Sequence, residues 1–409
     1  MKRIFKQKQI KAKEGFILFY AMGTLALMSL AAMIAINSAR LESRTARNHY
    51  DTARALYHAE AGVKLTQRTV ENRLANGETL SEIIANLLVT APDGVEFDDI
   101  TAFKEVVPDR MFSFETIGRS NEAKASVVVH LRRRPLIQAG LFGVDDLTTL
   151  PNVTILGYDS RVTTNPTADD SNGGASIGSN GAVDLGNHLV LDGMVLLGES
   201  YDGMLANCSN CALYAQVEVG HQDPDPLGLL DGGTLAELHD QVQLSNDNFK
   251  NSDIINNTIR LNTGSSDMRT TTLTAGDYYL TDLFLGANAT LAIDDSDGPV
   301  RIFMAGQFHM HPNADVVVDS KTPWGFQVYS NSTEEVNLQP NGNLTAFVYA
   351  PDAKINLQPG NSVLGAFWGR LVNVQPGTNG VIWLDTSLSE RMLMNNLETH
   401  SWYEQQGSF

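Results

Sequence analysis

The stretch FILFYAMGTLALMSLAAMIAI, Phe16 to Ile36, is uncharged from end to end and follows a short basic leader that closes on Glu14-Gly15. At 1.5 Å rise per residue it spans about 32 Å as a helix, enough to cross a hydrocarbon core of about 30 Å. The leader carries Lys2, Arg3, Lys6, Lys8, Lys11 and Lys13, which the positive-inside rule keeps in the cytoplasm. A secretory signal has a shorter apolar core with a small-residue cleavage site behind it. Here a cut between Gly15 and Phe16 falls in front of the apolar run and leaves it on the mature chain. The sequence therefore predicts a single membrane span at 16–36, with everything after it outside the cytoplasm.

The helical pattern does not stop at the membrane. No proline occurs before Pro92 and no glycine between Gly23 and Gly62, so no strong breaker interrupts residues 37–74. Ala39, Ala46 and Ala53 recur every seven residues, and Leu56, Val63 and Val70 repeat that interval on a shifted phase. The spacing predicts one apolar seam on a helix. Arg40, Glu42, Arg44, Arg47, Asp51, Arg54, Lys64, Arg68 and Glu71 read as its solvated faces. Residues 16–74 as one helix measure about 88 Å.

The segment KEGFILFYAMGTLALMSLAAM resembles the class III signal of type IV pilins and pseudopilins. That resemblance implies cleavage by a prepilin peptidase after Gly15 and N-methylation of the new amino terminus, Phe16. The alternative is a single-span anchor whose basic flank is never removed. Further on, Ala59-Glu60-Ala61-Gly62 resembles the AEAG signature that follows the membrane helix in PilX-type minor pilins and related tip pseudopilins. The chain departs from most major pilins at the fifth mature position, where Tyr20 stands in place of glutamate. A buried terminal amine needs a compensating carboxylate, because an unpaired buried charge costs several kcal/mol. A subunit without that carboxylate fits a filament tip or a priming complex; otherwise Tyr20 simply faces lipid.

The 409 residues allow two or three domains. Net charge is −18, and loss of the leader, with six basic residues and one acid, takes it to about −23. That balance opposes nonspecific nucleic-acid binding and favours solubility outside the cell. Arg132-Arg133-Arg134 reads as a charged strand end. Cys208 and Cys211 are the two cysteines. In an exported chain their C-x-x-C spacing reads first as a local disulfide, and as a metal site only with two further ligands, His188 and His221 being the nearest histidines. A redox motif would need a βαβ context that is missing.

Residues 75–140 read as a small α+β unit, with a short helix in LSEIIANLLV and strands in MFSFETIGRS and AKASVVVHLRRR. From 141 to 388 the chain turns to short β runs rich in glycine and asparagine. Val336-Asn337-Leu338-Gln339-Pro340, Ile355-Asn356-Leu357-Gln358-Pro359 and Val372-Asn373-Val374-Gln375-Pro376 are one motif three times, and His309-Met310-His311-Pro312 is a degenerate fourth copy. A strand closed by a proline turn at a period near 20 predicts solenoid rungs. IGSNGAVDLGNHLVLDGMVLLG from Ile177 reads as the first coils, with an insert at about 222–253, containing a possible helix, looping out between them. Asn337, Asn356 and Asn373 then stack as an amide ladder, either structural or a polar, sugar-like ligand surface. VIWLDTSL and the tail HSWYEQ resemble the ends of β-helical domains fused to PilX-type N-termini.

The expected layout is thus a leader at 1–15, a pilin-type helix at 16–74, a strand meander within 75–140, a right-handed parallel β-helix at 141–388 and a tail at 389–409. In fold class this is α+β and all-β. No active site stands out: the recurring positions are Asn, Gln, Pro and Gly, not converging acids. His309 and His311 share a strand face without an evident third ligand. Asp294-Asp295-Ser296-Asp297-Gly298 is similar to a calcium loop but lacks its spacing and its downstream glutamate. No cofactor or metal is expected. The resemblance implies a noncatalytic minor pilin or pseudopilin, made in the bacterial inner membrane and moved to a surface filament. Its partners would be other pilins, the prepilin peptidase and a possible glycan on the head. A membrane-anchored adhesin and a β-helical polysaccharide-degrading enzyme are the competing classes.

Overall fold

The computed structural model describes residues 2–75, 78–92, 94–98, 100–107, 111–135, 137–198, 212–213, 216–261, 269–339, 342–376, 380–391 and 393–405. Two compact units emerge: Met1–Arg134 with Asn395–Phe409, and Pro135–Met394.

In the first unit a single helix, α1, runs Lys2–Ala75, about 110 Å at helical rise. It is followed by a short helix, α2 (Leu80–Ala85), which opens with a reciprocal capping box between Thr79 and Glu82. A four-stranded sheet follows the order Thr101–Val107, Met111–Ser120, Ala123–Pro135, Leu393–Gln405. Its central hairpin turns at Asn121–Glu122, with Asn121 at φ 53°, a left-handed position that asparagine tolerates better than most residues. The stretch 389–409, read from sequence as a tail, therefore supplies an edge strand. The unit's core joins Val70 and Leu74 of α1 to Leu80, Ile83, Phe112, Phe114, Val129, Leu131 and Leu397.

The buried seam of α1 differs from the sequence expectation. Ala39, Ala46 and Ala53 are exposed and Leu56 and Val63 only half-buried. The residues that face the sheet are Asp51, Ala55, His58, Ala59, Gly62, Thr66, Val70 and Leu74. Only Val70 is shared with the seven-residue pattern, because the close approach of the sheet backbone, not a heptad interval, selects the buried positions. A Cβ placed on Gly118 would collide with the Ala55 carbonyl and the Ala59 amide.

The second unit stacks short parallel strands in three columns among the described residues. One column runs Thr258–Leu261, Asp282–Leu285, Phe308–Met310, Val336–Leu338, then residues 355–357 and 371–374. The other two contain Arg269–Thr274 with Ala289–Asp294 and Asp315–Val318, and Gly276–Leu280 with Val300–Met304 and Phe326–Ser330. Alternate side chains point inward, and Leu283, Phe308, Val336, Leu338, Ile355, Leu357, Val372 and Val374 join one continuous interior core. The corner residues Asn152, His188, Asn288 and Asn313 all have φ between 61° and 65°.

The order of stacking is not the order of sequence. The strand Ser362–Val374 pairs in parallel with Leu141–Thr149, and Val381–Asp385 pairs with Thr154–Tyr158. The chain enters this stack in its middle, adds strands one way in 175–197, 212–213 and 216–219, crosses to the far end, and returns until residues 362–374 and 381–385 lie on 141–149 and 154–158. The crossing segment is the expected insert, and it does not loop out. Its helix α3 (Thr234–Leu244) and the residues before it lie on an outward aromatic ladder whose register is Tyr279, Phe303, Tyr329, Tyr349, Trp368, Phe142. Leu227, Leu229, Leu235, Leu238 and Val242 cover it. Six in-register aromatic side chains left in water would forfeit roughly 1.5–3 kcal/mol each, which is the physical reason the segment packs down.

Candidate functional site

Among the described residues, the apolar half of α1 packs against nothing else in its own chain. Ile17 to Ile36 are exposed apart from a half-buried Thr24, with Phe19 at 79% and Met28 at 73%. By length and composition α1 is the one described helix able to cross a membrane. The polar side chains within the run bond back to their own helix: Thr24 Oγ1 donates to Ala21 O at 2.9 Å, and Ser29 Oγ to Leu25 O at 2.8 Å. Those bonds pair the Thr24 and Ser29 hydroxyls with carbonyls of their own helix. Tyr20 is exposed on this surface. Gly15 and Phe16 lie within the span of α1.

Ala59-Glu60-Ala61-Gly62 sits where α1 crosses the central strand Met111–Ser120. Ala59 is fully buried, and its carbonyl accepts a hydrogen bond from Thr116 Oγ1 at 3.0 Å. A Cβ on Gly62 would lie 3.3 Å from Thr116 Cγ2 and 3.4 Å from Phe97 Cγ. Glu60 and Ala61 are half-buried at the edge of the contact. Immediately before the motif, His58 Nδ1 lies 2.7 Å from Arg119 O and 3.3 Å from Glu96 N. The motif makes a close helix–sheet crossing, and its small residues allow it.

On the stack, Asn337 pairs with Asn356 and Asn356 with Asn373. Asn356 Nδ2 donates to Asn337 Oδ1 at 2.7 Å and Asn373 Nδ2 to Asn356 Oδ1 at 3.5 Å. Glu335 Oε2 accepts from Asn337 and Asn356 at 3.4 Å each. The same outward line continues upward through His309, Phe284 and Arg260. The rings of His309 and Phe284 stack at 5.4 Å and 10°, and the Arg260 guanidinium lies 5.0 Å over the Phe284 ring. Sequence reading missed Phe284 and Arg260, although Phe284 precedes His309 by one coil. Burial, then the neighbouring His311, holds the His309 imidazole below its ordinary pKa.

The remaining candidates are dispersed. Cys208 and Cys211 lie outside the described residues. His188 occupies a left-handed corner. In the Asp294–Gly298 turn, Asp294 Oδ1 accepts from Ser296 Oγ at 2.6 Å, and Asp295 Oδ1 from Ser320 N at 2.9 Å. Among the described residues no three His, Cys, Asp or Glu side chains gather around a common point.

A family model described as a domain of unknown function, DUF7305, matches residues 283–391. No curated protein matches the chain. Among solved structures, the chain is similar to the competence-associated pilin ComZ from Thermus thermophilus, at 13% identity and a TM-score of 0.31, over 87% of this chain and 97% of that one. It is also similar to the DUF3494 domain of ice-binding protein 1 from Shewanella frigidimarina, at 14% identity and a TM-score of 0.28, over 62% of this chain and 98% of that one. At TM-scores below 0.5 neither likeness bears on function.

Proposed function

We propose that the chain is a noncatalytic, pilin-like filament subunit of the PilX type, whose helix docks among sister helices and whose strand-rich head is displayed outside the cell. The observation that carries this reading is the division of α1. One half is apolar, exposed and unpartnered, and the other is locked onto its own sheet through Ala55, Ala59 and Gly62. Roughly twenty exposed apolar residues in one run need lipid or other helices around them. A helix anchored at one end only can leave a bilayer for a helical bundle without unfolding its own domain.

On this reading the prepilin peptidase cuts between Gly15 and Phe16, Phe16 is N-methylated, and the subunit waits in the inner membrane before assembly. Tyr20 in place of a carboxylate favours a tip or priming position. The second unit is read as a right-handed parallel β-helix, which the parallel pairing in three columns supports. Its outer face serves assembly or adhesion, with a glycan as one candidate ligand.

Mass spectrometry of the membrane-extracted protein tests the processing step: the mature terminus should be a methylated Phe16, and any other terminus counts against the proposal. Affinity purification from filament-producing cells tests the partner. Recovery of the chain without any fibre subunit would instead favour a free-standing membrane-anchored adhesin.

A further inference from the structure

We infer that His309 and His311 form a two-histidine site for a divalent transition-metal ion such as Zn²⁺ or Cu²⁺, with the remaining coordination positions open to water. The ring centroids are 4.6 Å apart with planes at 64°. With metal–nitrogen bonds of 2.0–2.1 Å, each ring centroid lies about 3.2 Å from a bound ion, so rings this far apart subtend roughly 90–95° at it. That angle suits two adjacent positions of a square-planar or octahedral ion.

Phe284 fixes the pair. His309 lies flat on its ring, and His311 meets its edge at 5.1 Å and 71°. Prior ordering of both imidazoles lowers the entropic cost of chelation. No hydrogen bond among the described residues engages a ring nitrogen of either side chain, so ligation breaks no existing bond. The backbone N–H of His311, by contrast, is held by Leu285 O at 2.9 Å, which sets the corner that turns its ring back toward His309. Arg260 approaches from the far side of Phe284, with the aromatic ring between it and the site. No third acidic or histidine ligand among the described residues joins the pair. The site is therefore an open surface chelate of modest affinity, not a closed structural centre.

The test uses the full chain in detergent, without a polyhistidine tag. One equivalent of Cu²⁺ should give an electron paramagnetic resonance spectrum with splitting from two imidazole nitrogens, displaced by excess Zn²⁺. His309→Phe keeps the stack on Phe284 but removes the ligand nitrogens, and His311→Gln removes the other. Each should abolish the two-nitrogen pattern and weaken binding at least tenfold, with an unchanged thermal midpoint. Two-imidazole coupling that survives in both variants, or its absence from the wild-type spectrum, overturns the inference.

Discussion

Gly118 of the meander lies against Ala59 of α1 with backbone touching backbone, so that a Cβ on Gly118 would overlap the Ala55 carbonyl oxygen and the Ala59 amide. The clash involves main-chain atoms on both sides, and no side chain can rotate out of the way. Gly118→Ala should therefore destabilise the first unit by about 1–3 kcal/mol, the usual cost of forced overpacking. Hydrogen exchange of residues 111–131 in the full chain reads this directly, and unchanged protection there would refute the crossing. Gly62→Ala is the control. Its Cβ meets only side chains, at 3.3–3.4 Å, and alanine gains about 1 kcal/mol of helix propensity over glycine. The two effects should nearly cancel.

Trp368 stacks on Phe142 at 4.2 Å and 26°, joining the last complete coil to the first across more than two hundred residues of sequence. Trp368→Ala should cost about 3–5 kcal/mol, as expected for a fully buried aromatic side chain. The loss should be localised. Exchange protection should fall first in residues 141–149 and 362–374, while Phe326–Ser330 and Val300–Met304, two and three coils away, keep theirs. Uniform loss across the stack would show that the junction is no weaker than any other coil.

Within the amide ladder, Asn356 both donates to Asn337 and accepts from Asn373, with Glu335 alongside. Asn356→Asp removes the donor and sets a second carboxylate beside Glu335. It should lower the stability of the stack by about 1–2 kcal/mol at neutral pH and recover part of that loss in acid, where the new carboxylate protonates. Chemical denaturation at pH 7 and pH 4 measures both. A loss that is the same at both values would mean that packing, not charge, is responsible.

The ladder is legible because VNLQP returns as INLQP and VNVQP, and side chains at one place in a repeat share a face. The helix α2 and the hairpin strands were equally visible, each bounded by its own cap or turn residues. The meeting of residues 362–374 with 141–149 was not visible. Parallel pairing is made by backbone groups, and inward residues such as Val372 and Leu147 are interchangeable with those of any coil. A sequence period therefore reports that coils stack, not which coil receives the last one. The helix seam failed differently. A seven-residue interval picks out Ala39, Ala46 and Ala53 as readily as Leu56, Val63 and Val70, whereas the close approach of the sheet at Gly118 buries Ala55, Ala59 and Gly62.

His239 of α3 is 3% exposed, meets Tyr279 and Phe303 edge-on, and has an Nε2 without a partner. Burial pushes its pKa down, opposed by a bond to the Met304 carbonyl and by Asp240. The folded value lies below the unfolded one, near 6.5, which fixes the sign. Above that pH both states are neutral and the histidine contributes no pH dependence. Below it the unfolded chain takes up a proton that the folded chain refuses. Stability should then fall with acidification by at most about 1.4 kcal/mol per pH unit for this one proton, until the folded value is reached. His309 is shifted the same way and adds a second such term. His239→Phe preserves the aromatic contacts beneath α3 and should reduce the slope of the unfolding midpoint between pH 7 and pH 5, leaving the part due to His309. If the slope of the variant matches that of the wild type, His239 is either protonated in the folded state or solvated there, and the packing of α3 on the aromatic ladder is looser than its burial implies.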